Sequence, residues 1–406
     1  MRLEQPGVVA VGLAVLLGPR PHLVRPHWTV LLIPLAALIY LVILATSSLL
    51  LAPSPAKSML LVAWTGISML AGAIAFTLLL RDPGAGPRWL LIIGVLTAVA
   101  GLGTGLLFWL FGPDWRLAVH GASGPLPKVT AFVWEPNLYA SVLAATVPFA
   151  AANVIIKASR RTVGTLALIL FAFALGNTRG AYLGLGAGSL VLLGLIAWRT
   201  GAIRRVAAAG ALIGALTIAG IGLYTITLPH PGVVADLLPS PAPGATPPSP
   251  APGSSSAPGF DEYPDTLQYR LRRIPIALRD LGTSPLIGLG AASFGQRHED
   301  PSRPGVADHI AILAVAALYE AGVFGALALA ATFVLAGMVL LRALAVSPEA
   351  RELAIGAAFA AALVTLLVAY QATNAIHFAI NWLLLGAAIA WAVSQLSRRS
   401  PNPVRS

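Results

Sequence analysis

The stretch TVGTLALILFAFALGNTRGAYLGLGAGSLVLLGLIAW, residues 162–198, contains two apolar runs, 162–177 and 180–198, that meet at a single cation, Arg179. Burying such a charge at membrane depth costs about 3 kcal/mol by insertion scales, so an isolated arginine there marks a purpose. Arg179 reads as half of an anion site. Its complement is expected in the one long polar stretch, residues 229–308, where Arg270, Arg272, Arg273 and Arg279 crowd onto one short segment.

Working outward, the 406 residues are 57% apolar and only 10% charged. Several hydrophobic runs exceed the ~20 residues that a helix needs to cross a bilayer. Backbone groups in lipid must be satisfied within the segment or in a closed barrel, and runs this long and uniform exclude barrel strands. The expectation is an all-α polytopic transmembrane helical bundle of about 10–12 helices. Ten spans are read at 29–52, 58–80, 88–112, 138–156, 162–177, 180–198, 206–228, 310–342, 353–371 and 376–395. The long one, 310–342, reads as an oblique segment followed by a span beginning near Gly322. Residues 7–18 are also apolar but lead into Arg20, Pro21 and Arg25 in place of a small-residue cleavage site, so this segment is expected to stay.

The net charge of +11 would suggest nucleic acid in a soluble protein, but the cations fall between hydrophobic runs, as topology signals do. No nucleic-acid partner is expected. Assigning alternate short loops to opposite sides puts sixteen Lys and Arg on one side, Arg81, Arg88, Lys157, Arg204 and Arg351 among them. Only Lys57, Arg116, Lys128 and Arg179 fall on the other. By the positive-inside rule the first side is cytoplasmic. Both termini are then expected in the cytoplasm, with Arg179 and the long loop outside a multi-pass cytoplasmic membrane protein.

Three regions follow: N-terminal transmembrane helices over 1–228, an extracytoplasmic loop over 229–308, and C-terminal transmembrane helices with a short tail over 309–406. Within the loop, 239–258 carries eight prolines among Ser, Ala, Gly and Thr and reads as an extended spacer. Residues 266–281, TLQYRLRRIPIALRDL, place Leu267, Leu271, Ile274, Leu278 and Leu281 at helical spacing. This is an amphipathic helix expected to lie on the membrane surface, among membrane lipids, with a kink at Pro275. Asp308 is a candidate N-cap for the helix after it. There are no cysteines, which removes thiolate metal sites and a cysteine nucleophile. His298, Glu299 and Asp300 match metal ligands only by type, since adjacent residues seldom converge on one ion.

Four features in order resemble the O-antigen ligase and O-antigen polymerase family of membrane glycosyltransferases. They are EPNLYASVLAATVPFA from Glu135, GNTRGAYLGLGAG around Arg179, Arg270 followed fifteen residues later by PLIGLGAASF from Pro285, and LYEAGVFGAL from Leu318. Two positions depart from the family pattern: Ala311 stands where the family has a histidine, with His309 nearest, and Ile274 stands where it has a tryptophan. The resemblance implies a saccharide donor carried on a polyprenyl diphosphate, transferred to a glycan, lipid or protein acceptor without metal or cofactor. Arg179, Arg270 and Arg273 are then the expected diphosphate contacts, because guanidinium groups pair with phosphate oxygens through planar double hydrogen bonds. His309 and, second to it, Glu320 are the candidates to take the acceptor's proton. Glu135 and Asn137 are expected to shape the substrate site at a helix start. An anion or glycolipid transporter is the alternative reading, with Arg179 on the transport path.

Overall fold

The computed structural model describes residues 28–111, 119–120, 128–131, 135–229, 266–299 and 308–398. The expected N-terminal segment 7–18 and the proline-rich spacer lie outside them. Twelve helices are present among the described residues. In chain order they are α1 (Trp28–Leu50), α2 (Pro55–Leu79), α3 (Ala85–Phe111), α4 (Pro136–Ile156), α5 (Arg160–Leu175) and α6 (Arg179–Thr200). Then come α7 (Ile203–Thr227), α8 (Thr266–Leu281), α9 (Ser293–Arg297), α10 (Leu313–Val346), α11 (Ala350–Ala369) and α12 (Ala379–Ser397). A two-residue hairpin, β1 (Val119–His120) against β2 (Lys128–Val129), joins α3 to α4 and pairs His120 with Lys128.

Among the described residues, nine of these helices are long and apolar enough to cross a membrane. The protein is a multi-pass membrane protein, and its fold is the expected all-α bundle. The tenth expected span, α5, has 16 residues and rises about 24 Å, short of the ~30 Å hydrocarbon core. It nevertheless runs between the same two ends as its neighbours. The Tyr139 hydroxyl, one turn into α4, donates to the Ala172 carbonyl near the end of α5 at 2.9 Å.

Consecutive helices alternate direction, so the connections sort to two ends of the bundle. One end carries the turn at 51–54, the hairpin, the starts of α4, α6 and α10, the turn at 370–378, and the segment 266–299. The opposite end carries the turns at 80–84, 157–159, 201–202 and 347–349 and the end of α12. We refer to them as the loop end and the basic end.

Small residues set how closely the central helices approach. Gly180, Gly184 and Gly188 lie four apart on one face of α6, and α11 packs directly on them. A Cβ at Gly184 would fall 2.5 Å from the Thr365 carbonyl oxygen, and at the other two it would clash with Ala372 and Thr365 side chains. The absence of side chains lets two backbones touch, which is how helices gain contact in lipid, where hydrophobic exclusion gives no drive.

The helix α10 breaks at Gly322, whose backbone (φ 65°, ψ −171°) is not helical, as the sequence placed it. A break at membrane depth leaves carbonyls and N–H groups without partners. The segment 285–290 supplies them. Leu289 and Gly290 N–H donate to the Tyr319 and Glu320 carbonyls at 2.8 and 2.9 Å, and Val323 and Phe324 N–H donate to the Pro285 and Leu286 carbonyls at 2.9 and 3.1 Å. Gly288 (φ 77°) passes so close to Gly322 that neither position has room for a Cβ. The same segment is stitched to α1 and α2, with Ser58 Oγ donating to the Ala291 carbonyl at 2.6 Å and Ala291 N–H donating to Ser48 Oγ at 2.9 Å.

Above this segment, α8 continues through Pro275 without interruption of the helix. Arg273, Ala277 and Leu281 face the protein, while Leu271 and Leu278 are about half exposed, as suits a helix with one face left for lipid. A small core of Ala277, Leu289, Phe294, Ile310, Ala316 and Tyr319 holds α8 down.

Replacing Gly184 with Val is expected to lower stability by about 1–3 kcal/mol through overpacking. Gly322→Ala should lower it by a comparable amount, since strained backbone positions cost about 1–3 kcal/mol each. Thermal denaturation in detergent measures both.

Candidate active site

At the loop end, three cations from distant parts of the sequence face one another. Arg179 is the first residue of α6 and is exposed. Its position is electrostatically costly, because a helix N-terminus already carries partial positive charge. The preceding residue, Thr178, is the N-cap, but its hydroxyl makes no capping bond, so the first N–H groups of α6 stay open beside the guanidinium. Arg270 is half-buried on α8, and Lys128 is half-buried on β2.

Two of them respond to the surrounding charge. Burial, then Arg179 and Arg270, hold the Lys128 ammonium below its ordinary pKa. Arg270 is likewise lowered by burial, supported by the carboxylate of Glu135 and opposed by Arg179. Glu135, the N-cap residue of α4, is the one carboxylate in this group. It is fixed by Asn137 Nδ2 at 2.9 Å and Thr373 Oγ1 at 3.0 Å, both donating to Oε1. Thr373 follows Ala372, which packs on Gly180, so the same turn anchors both Glu135 and the start of α6. Three cations and one carboxylate leave a formal excess of positive charge, an arrangement suited to a polyanion.

Of the residues singled out in the sequence, Arg179, Arg270, Glu135 and Asn137 come together. Arg273 does not share their setting: it is buried and ion-paired with Asp308, which is buried too. Asp308 is therefore not a helix cap. The helix α10 starts at Leu313 with Ile312 at the N-cap, and Asp308 instead accepts the His309 backbone N–H at 2.8 Å. The His309 side chain is exposed at the loop end.

Glu320 is buried inside the bundle. Its Oε1 accepts the Ala292 N–H at 3.0 Å, and its Oε2 lies 3.8 Å from His377 Nε2. The His377 Nδ1 is 2.7 Å from Thr65 Oγ1, so α2, α10 and the turn before α12 meet on this pair. His298 is 2.6 Å from Asp280, which also accepts the Tyr319 hydroxyl at 3.1 Å. That arrangement ties α8 to α9 and α10.

Sequence reading missed Lys128 and Thr373 as partners in the cluster. Lys128 did carry a signal, as one of few cations in the short loops on the Arg179 side. Thr373 carried none.

Residues 164–330 match the family model described as O-antigen ligase. This supports an O-antigen ligase family assignment. The matched stretch includes Arg179, Arg270, the 285–290 segment and Glu320, and it ends just past the break in α10. The match supports a glycosyltransferase-like role in the membrane. No curated protein matches the chain.

Removing the Lys128 charge should stabilise the substrate-free protein. The folded state holds that ammonium below its unfolded pKa, so the unfolded chain binds more protons and stability rises with pH across the interval between the two values. Lys128→Met is expected to raise the melting temperature at neutral pH, with the difference from wild type shrinking as pH climbs toward the unfolded lysine value of about 10.4. In a separate measurement, Glu320→Gln, which keeps an acceptor for Ala292, should melt near wild type. Glu320→Ala should lose about 1–3 kcal/mol, the cost of an unsatisfied buried donor.

Proposed function

We propose that the protein transfers or polymerises saccharide units from a polyprenyl-diphosphate donor at the loop end of the bundle, on the outer face of the cytoplasmic membrane. The observation that carries this reading is the gathering of Arg179, Arg270 and Lys128, with the tethered Glu135 beside Arg270. A diphosphate joining a lipid to a sugar carries one ionised oxygen on each phosphate, which matches the formal charge excess of the four side chains. The outer-face placement rests on the basic end, where Arg81, Lys157, Arg204, Arg205, Arg351 and Arg398 collect, as cytoplasmic loops do.

In this reading the acceptor hydroxyl attacks the anomeric carbon of the donor sugar as the bond from that carbon to the diphosphate oxygen breaks. The bonding electrons leave with the diphosphate. Arg179 and Arg270 hold its oxygens and stabilise the charge that develops there, in a setting partly withdrawn from water. The open N–H groups at the start of α6 reinforce them. Lys128 adds a third positive charge, and binding of the dianion relieves the repulsion among the cations. His309, exposed at the same end, accepts the acceptor's proton, a role suited to an imidazole near neutral pH. Glu320 acts at a distance by holding the 285–292 segment under α8. Arg273, paired with Asp308, fixes the segment before α10 against α8.

Purified protein given a polyprenyl-diphosphate oligosaccharide and an acceptor should release the lipid carrier. Arg179→Ala and Arg270→Ala should each lower turnover by about 10²–10³-fold, the usual loss for one charge-stabilising donor. Both variants should still insert and accumulate. Wild-type turnover in both would remove this function from the cluster.

A further inference from the structure

A second basic site lies at the basic end, far from the cluster and independent of the reading above. A pocket of about 750 Å³ opens where the ends of α4 and α6 meet the starts of α7 and α11. Three arginines line it, Arg204 and Arg205 from the first turn of α7 and Arg351 from the first turn of α11, against a wall of Ile155, Ile156 and Ile196. None of the three pairs with a carboxylate among the described residues. The nearby Glu352 is committed elsewhere, accepting from Trp391 Nε1 at 3.0 Å and Gln395 Nε2 at 2.9 Å. Glu349 precedes α11 and is exposed.

Both helix starts are open toward this region. The N-cap of α7 is Ala202, which has no capping group, and Glu349 at the N-cap of α11 makes no capping bond. Ile203 N–H is taken by the Gly201 carbonyl at 2.8 Å, but the N–H groups of Arg204 and Arg205, and those of the first turn of α11, have no intrahelical partner, and both helix dipoles add positive potential to that of the arginines. Each arginine sits at the end of its helix that the dipole disfavours, so an anion would stabilise what the bare fold does not. The isoleucine wall distinguishes the pocket from a site for a free ion. It offers apolar surface in the same pocket as the cations, a pairing that matches a phospholipid's chains and phosphate.

We propose that this pocket binds the phosphate headgroup of an anionic phospholipid from the leaflet at the basic end, with an acyl chain along Ile155, Ile156 and Ile203. Basic pockets between transmembrane helices recognise such headgroups by guanidinium pairing and open N–H groups. The lipid bridges the starts of α7 and α11, which both line the pocket.

The test is native mass spectrometry of the full chain in detergent, titrated with phosphatidylglycerol and with phosphatidylcholine of the same acyl chains. Wild type should bind phosphatidylglycerol about tenfold or more tightly than phosphatidylcholine, since basic residues near the surface favour anionic headgroups. The triple variant R204A/R205A/R351A should bind both lipids alike while keeping a cooperative melt. R81A/R398A, which removes two cations from the same end outside the pocket, should keep the preference. Equal binding of both lipids by wild type, an undiminished preference in the triple variant, or an equal loss in R81A/R398A would each overturn the proposal. Displacement of phosphatidylglycerol by millimolar inorganic phosphate would also overturn it, in favour of a soluble phosphate ligand.

Discussion

A helix that breaks inside a bilayer must find partners for the backbone groups it exposes, and the loop end is organised around that requirement. At Gly322, α10 gives up its own hydrogen bonds, and residues 285–290 restore them through four backbone bonds. This pairing fixes a polar segment of the chain against the bundle, tied in addition to Ser48, Ser58 and Glu320. With the segment fixed, α8 has a floor to rest on. Arg270 is therefore held beside the starts of α4 and α6 although it belongs to a loop remote from both in sequence.

The cluster shows how a fold holds like charges together before a ligand arrives. Lys128 and Arg270 are both shifted against their charged forms, and Glu135 offsets only part of that cost. The support comes from elements that carry no charge of their own. The glycine face of α6 on α11 places Arg179, and the turn at 370–378 anchors Glu135 through Thr373. Stability is given up locally at a site whose ligand would return it, the pattern expected where strained electrostatics serve binding.

The two ends of the bundle use cations differently. At the loop end three of them, drawn from separate elements, converge, with one carboxylate beside Arg270. At the basic end they are numerous and mostly exposed, and the α7–α11 pocket gathers three of them against an apolar wall. Count alone would have pointed to the basic end, whereas the convergence of separate chain segments points to the loop end.

The sequence by itself determined the helical spans, the alternation that separates the two ends, the break near Gly322 and the isolation of Arg179, because hydropathy and glycine placement act over a few turns of chain. The amphipathic α8 was legible for the same reason. Only the tertiary structure decided which arginine of α8 meets Arg179. Arg270 and Arg273 lie one turn apart and are chemically alike, yet Asp308 claims the second. It also decided that Lys128 joins the site and that Glu320 is enclosed beside His377. These outcomes depend on which helix face turns inward and on contacts between residues far apart in the chain, and neither leaves a local signal in the order of amino acids.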